Sequence, residues 1–266
     1  MSNPTSVTAR IALTVTQPAR LVFSVAVAQG TPTDRETLSI TVDGTEVPAT
    51  EVSSIAGTRL HVVDAPTGRL ELAYAADVTG SAPTPAVTDA EAIEYTRPSR
   101  YCESDRLNVL APTQFSDLAG QELVTAVGAW VNGHMRYIPG FSGSTDSAID
   151  TLLAGQGVCR DFAHLTVAML RACGVPARLM AAYAPGLVPM DFHAVAEAAV
   201  DGRWQVVDAT RMVPRAGLVR IATGRDAADT AFLTVLSGQV TFGPVQVTCY
   251  AHDGLLPEDP SQPVHL

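Results

Sequence analysis

Cys159 follows Gly155-Gln156-Gly157-Val158 and opens a stretch in which Phe162, Leu165, Thr166, Met169 and Leu170 recur at steps of three and four. That spacing predicts a helix from Cys159 to Cys173, stopped by Gly174 and Pro176. The sulfur therefore belongs to a helix N-terminus, where free N–H groups and the helix dipole stabilise a thiolate. A thiolate is the nucleophilic form of cysteine. The glycines ahead of it permit a tight turn and close approach of a substrate. No other cysteine is so placed: Cys102 falls in a loop, Cys173 at the apolar helix end and Cys249 in a strand.

A nucleophilic sulfur needs an imidazole partner, and the imidazole needs a group to orient it. His193 lies in the strand candidate Phe192 to Val200. Asp201-Gly202 turns this strand into a second one, which Asp208 ends. A two-residue hairpin loop pairs Val200 with Arg203 and Glu197 with Val206. Continued, the ladder sets Asp208 opposite Val195, on the sheet face of His193. Cys159, His193 and Asp208 thus form a nucleophile, base and orienter in chain order. The Cys159 N–H is one donor for an oxyanion, with Gln156 and Tyr137 as candidates for another.

The elements that must position these groups fall in two parts. Up to about residue 80 the pattern has the two-residue period of strands. Val7, Ala9, Ile11, Leu13 and Val15 alternate with smaller or polar residues, as do Leu38, Ile40 and Val42, and Leu70, Leu72 and Tyr74. This reads as a β-sandwich-like domain over residues 1–90. Residues 79–92, rich in Pro, Thr, Ser and Gly, read as a linker. Residues 91–266 form the second part. Leu123, Ala126, Val127, Trp130, Val131 and His134 mark one helix, and Ser147 to Leu153 a shorter one. Strands follow at Arg178–Tyr183, Phe192–Val200, Trp204–Val207 and Val240–Tyr250. The Pro-rich tail after His252 is expected to fray. The fold class is α+β.

The run Gly157-Val158-Cys159-Arg160-Asp161-Phe162-Ala163-His164-Leu165 resembles the transglutaminase-like superfamily, a papain-like fold class. The resemblance continues through Arg171-Ala172-Cys173-Gly174-Val175-Pro176-Ala177-Arg178, the His193 strand and Trp204 to Thr210. Arg97-Pro98-Ser99-Arg100-Tyr101 and the β-rich N-terminal part are similar to bacterial members. It implies a Cys159–His193–Asp208 site performing acyl transfer on amide bonds. Peptide or amide hydrolysis leads, with transglutaminase cross-linking and a non-catalytic binding scaffold as alternatives. Two positions depart from the common pattern. His193-Ala194-Val195 stands where many relatives have His-Ala-Trp, and Asp208-Ala209-Thr210 where many have Asp-Pro-Thr.

The composition narrows the remaining classes. All 17 basic residues among the 266 are Arg, so lysine Schiff-base and Walker-type phosphate chemistry are excluded. The formal charge of −10 argues against non-specific nucleic-acid binding. Four sparse cysteines without a CxxC pair predict free thiols and no zinc finger. The N-terminus lacks a secretory pattern and no segment has the length of a membrane helix. The expectation is a cytoplasmic protein with a peptide or protein amide substrate, no cofactor, and no nucleic-acid or membrane partner. The oligomeric state is left open.

Other polar residues have plainer readings. His164, turned ~140° from Cys159 around the helix, is a packing or hydrogen-bonding histidine. Asp161 suits the positive end of the helix dipole, and Trp130 is core. The stretch from Arg220 to Asp229 is either a solvated loop with internal Arg–Asp pairs or a cleft border in which Arg225 meets substrate.

Overall fold

The computed structural model describes residues 4–54, 56–83 and 85–266. The strands run in order as β1 (Thr5–Phe23), β2 (Thr33–Val42), β3 (Thr45–Glu46), β4 (Thr50–Ser53), β5 (Arg59–Ala65), β6 (Gly68–Val78), β7 (Arg136–Tyr137), β8 (Gln156–Gly157), β9 (Ala177–Tyr183), β10 (Phe192–Val200), β11 (Arg203–Val207), β12 (Val219–Gly224) and β13 (Leu233–Ala251). The helices are α1 (Asp89–Glu94), α2 (Leu110–Gln114), α3 (Gly120–His134), α4 (Ala148–Ala154), α5 (Cys159–Ala172) and α6 (Ala227–Thr230). The architecture is the mixed one the sequence predicts.

Among the described residues, β1 to β6 and β13 form one antiparallel sheet. Val7, Ala9, Ile11, Leu13 and Val15 of β1 are buried while their neighbours face outward, so one face carries the core. Each such aliphatic side chain contributes about 1.5–3 kcal/mol by leaving water. One edge of β1 pairs with β6 over residues 5–15 and with β5 over 19–23, while β13 follows the other edge. The β1/β13 ladder shifts register repeatedly between Val15 and Leu21. Gly238, at φ 82°, sits at this corner, and a Cβ there would lie 2.3 Å from the Pro18 carbonyl oxygen. The ribbon consequently folds back on itself. Phe232 and Phe242 would be separated by ~33 Å in a straight strand, yet their ring centroids are 6.4 Å apart. The N-terminal sheet therefore includes a strand from the far end of the chain, which a division at residue 90 leaves outside it.

The second sheet has the order β11-β10-β9-β12. Ala196 and Ala198 of β10 share a core with α3 and α5, and their small side chains let α5 approach the sheet closely. Tyr183, Val219 and Ile221 join the core of the curled sheet, locking the two halves together. Three short readings need correction. The tail does not fray, because Val206 N–H donates to the Val264 carbonyl at 2.8 Å and Arg215 holds Glu258 at 2.8 Å. Residues 220–229 are mostly β12 and α6 rather than a loop. The 79–92 stretch docks at Ala86 against Arg203 and starts α1, while its Thr84, like Met1 to Asn3, lies outside the described residues.

Candidate active site

Local chemistry places the thiol. Gly155, at φ 64°, ends α4 in the left-handed conformation. Gly157 then pairs with Tyr137 in the two-residue β7/β8 ladder. A Cβ on Gly157 would lie 2.6 Å from Asp161 Oδ2. That carboxylate folds back to accept the Val158 N–H at 2.8 Å, which caps a helix whose preceding residue has no polar side chain of its own. Asp161 is buried and paired with Arg160 at 3.0 Å, so it acts through the backbone of the helix start. Cys159 is half-buried. It opens on a cleft of about 220 Å³ walled by His193, Phe192, Asp191, Ala181 and Phe232.

The imidazole and the carboxylate meet as the hairpin register requires. Glu197 pairs with Val206 and Val200 with Arg203, and Asp201 and Gly202 both turn with positive φ. His193 Nε2 lies 2.8 Å from Asp208 Oδ2, with both side chains essentially sealed from solvent. Thr210 fixes the other oxygen, its N–H donating to Oδ1 at 2.9 Å and its hydroxyl at 2.7 Å. Burial opposes charge on the ring. The hydrogen bond and charge of Asp208, followed by those of Cys159, outweigh it and raise His193 to about 10. Burial likewise opposes the Asp208 carboxylate, yet His193 and Thr210 hold it below its usual range. His193 Nδ1 is buried and has no partner other than the Cys159 sulfur, toward which that nitrogen is left. The structure therefore brings Cys159, His193 and Asp208 together.

Of the two donor candidates, Tyr137 is at the thiol. Burial first, and then the charge of the neighbouring Cys159, push its hydroxyl up to about 12, against the Cys159 backbone N–H, which lowers it. Gln156 instead meets Arg136, its Oε1 accepting from Nη2 at 3.4 Å. Burial raises Cys102, Cys173 and Cys249 above the ordinary thiol value, Cys249 to about 12. His164 is fully buried, stacks on Tyr101 at 5.3 Å and accepts the Ala227 N–H at 3.1 Å, and burial drives it down to about 3. Arg225 pairs with Asp229 at 2.9 Å and does not line the cleft. Trp130 packs against the helical core.

Sequence reasoning missed the cleft's far wall. Ser24 reaches it from just after β1, Ile221 from β12 and Phe232 from just before β13, and no local pattern ties them to Cys159. Among the described residues no group of three or more His, Cys, Asp or Glu side chains is placed to hold a metal ion.

The family model described as the transglutaminase-like superfamily matches residues 110–209, which contain the sulfur, the imidazole and the carboxylate. The crystal structure of a candidate cysteine protease from Cytophaga hutchinsonii is 33% identical, with a TM-score of 0.88, over 97% of this chain and 93% of that one. An uncharacterised protein of Mycobacterium leprae is 33% identical over 123 residues, which are 42% of this chain. The match spans 43% of that curated relative's length. The periplasmic domain of TgpA from Pseudomonas aeruginosa aligns at 17% identity and a TM-score of 0.41, over 79% of this chain and 88% of that domain. By sequence and fold, this chain belongs to the transglutaminase-like superfamily.

Proposed function

We propose that the protein is a cysteine peptidase or amidase in which Cys159 is the nucleophile, His193 the proton carrier and Asp208 its orienter. The observation that carries this reading is the buried 2.8 Å contact of His193 Nε2 with Asp208, in a ring whose free Nδ1 borders the cleft of Cys159. The Cys159 thiolate adds to the amide carbonyl, forming a carbon–sulfur bond and an oxyanion. The Cys159 N–H and the Tyr137 hydroxyl stabilise that oxyanion. When the carbon–nitrogen bond breaks, Nδ1–H of the imidazolium passes its proton to the departing amine. The neutral ring then takes a proton from water as it attacks the thioester. The carboxylic acid leaves and the thiolate–imidazolium pair is restored.

Asp208 remains ionised throughout, holding the ring by Nε2–H so that Nδ1 does the proton transfer. Hydrolysis and cross-linking share the first half-reaction and differ in the acceptor. A casein or fluorogenic peptide assay with and without a primary amine tests the reading. Release of acid, unchanged by amine and abolished in Cys159→Ala, is the expected result. Amine incorporation in place of acid would make the protein a cross-linking enzyme. No turnover, together with equal alkylation of all four thiols, would make it a binding scaffold. The substrate is proposed to be a peptide or protein amide. The chemistry calls on no cofactor.

A further inference from the structure

The cleft wall beside His193 continues outward as a row of aromatic rings. Phe192, next to His193 in β10, stacks on Phe232 with centroids 5.4 Å apart and planes inclined by 23°. Phe232 in turn meets Phe242 edge-on at 6.4 Å. Phe192 and Phe232 line the cleft and are partly buried in the core beneath the curled sheet. Phe242 is 57% exposed. The two ring-to-ring steps together match about three residues of an extended peptide. No residue from 233 to 251 carries a charge, in a chain with 44 charged residues. The other charged groups on the cleft are Arg160, committed to Asp161 at 3.0 Å, and Asp191 at the rim.

Core packing alone accounts for Phe192 and Phe232 but not for Phe242. Joined ring to ring with Phe192 and Phe232, it makes one contiguous apolar surface that runs from the cleft wall out to solvent, and a contiguous patch of this kind marks a binding surface. The fold makes a specific provision for it. The corner at Pro18 and Gly238 lies between Phe232 and Phe242 along β13, and the ribbon folds back there so that the two rings meet.

We propose that Phe192, Phe232 and Phe242 form the subsite for an aromatic or bulky aliphatic side chain of the amide substrate, within three residues of the bond that Cys159 attacks. The side chain lies along the faces and edges of the rings, and Phe242 closes over it from the open side. This inference rests on the hydrolytic reading for its reaction, but the recognition it describes is measurable without turnover.

The test uses the full-length protein and a set of fluorogenic peptide amides carrying Phe, Leu, Ala or Glu, scanned over the three positions on each side of the cleaved bond. Wild type should favour Phe and Leu over Ala and Glu at one position. Phe242→Ala should cut that preference ~10-fold, the scale on which an apolar pocket discriminates. It should change cleavage of the Ala peptide far less than cleavage of the Phe peptide, and the rate of Cys159 alkylation by iodoacetamide reports that the thiol and its surroundings are intact. In parallel, the affinity of Cys159→Ala for the uncleaved Phe and Ala peptides is measured by fluorescence anisotropy, with and without Phe242→Ala. Cleavage with no preference at any position, or a preference that survives Phe242→Ala, overturns the subsite and leaves hydrolysis intact. Absence of cleavage, combined with Phe242-dependent binding of the Phe peptide, supports the subsite and overturns hydrolysis.

Discussion

His193 Nε2 and Asp208 Oδ2 are 2.8 Å apart, and neither side chain meets solvent. The pair joins two strands whose ladder stops at Ala196 and Val207, so side-chain chemistry continues where backbone pairing ends. Asp208→Asn keeps the shape and removes the charge. The ring then loses its main support, and the alkaline limb of kcat/KM should move down from near pH 10 toward the ordinary histidine range. A kcat loss between ~10²- and ~10⁴-fold is expected from a misoriented, wrongly protonated ring. An unshifted alkaline limb would show that Asp208 does not govern the imidazole.

The same pair links stability to pH. The folded ring titrates at about 10, above its ordinary value of 6.5. Its contribution is thus complete below about pH 6.5 and disappears as pH rises through about 10. Thermal melts of wild type and Asp208→Asn should differ most in the acid-to-neutral range and converge toward pH 10. A gap that widened with pH would contradict the assignment.

Thiol reactivity should separate the cysteines. Burial suppresses the thiolate at Cys102, Cys173 and Cys249, while Cys159 opens on the cleft at a helix start. Brief iodoacetamide treatment at neutral pH, followed by peptide mass mapping, should find Cys159 modified at least ~10-fold faster than the others.

Tyr137→Phe removes one hydroxyl next to the sulfur and leaves the ring packed on Phe162. If the hydroxyl holds the oxyanion, kcat should fall ~10²-fold or more while KM changes little. A rise in KM alone would make Tyr137 a substrate contact instead.

Glu197 is fully buried between Arg178, at 2.8 Å, and Arg220, at 2.6 Å. Burial opposes its charge, but the two guanidinium groups hold its carboxyl down at about 2. Its stabilisation is present above the ordinary value of 4.5 and is lost as pH falls toward about 2. Glu197→Gln removes the buried charge between the two guanidinium groups, leaving Arg178 with Glu91 at 3.1 Å and Arg220 without that carboxylate, and should cost about 3–5 kcal/mol in urea unfolding at pH 7. A cost below ~1 kcal/mol would mean that Arg178, stacked on Trp204 at 3.9 Å, is stabilised without its carboxylate.

Much of this protein is written locally in the chain. Apolar spacing from Phe162 to Leu170 set the helix behind Cys159, and the Asp201-Gly202 turn set the register that carries Asp208 to His193, because turn length and side-chain period leave one alignment that buries the right face. Tertiary structure decided what depends on residues far apart in sequence. The corner at Gly238 brings Phe242 to Phe232, and Ser24, just past β1, and Ile221, in β12, arrive with no pattern of their own linking them to the sulfur. The tail after His252 looked loose because its prolines lack donors, yet Arg215 and the open edge of β11 supply what it needs. Periodicity encodes which face of an element is apolar. Which distant surface covers that face, and what cleft is left between them, is fixed only when the whole core packs.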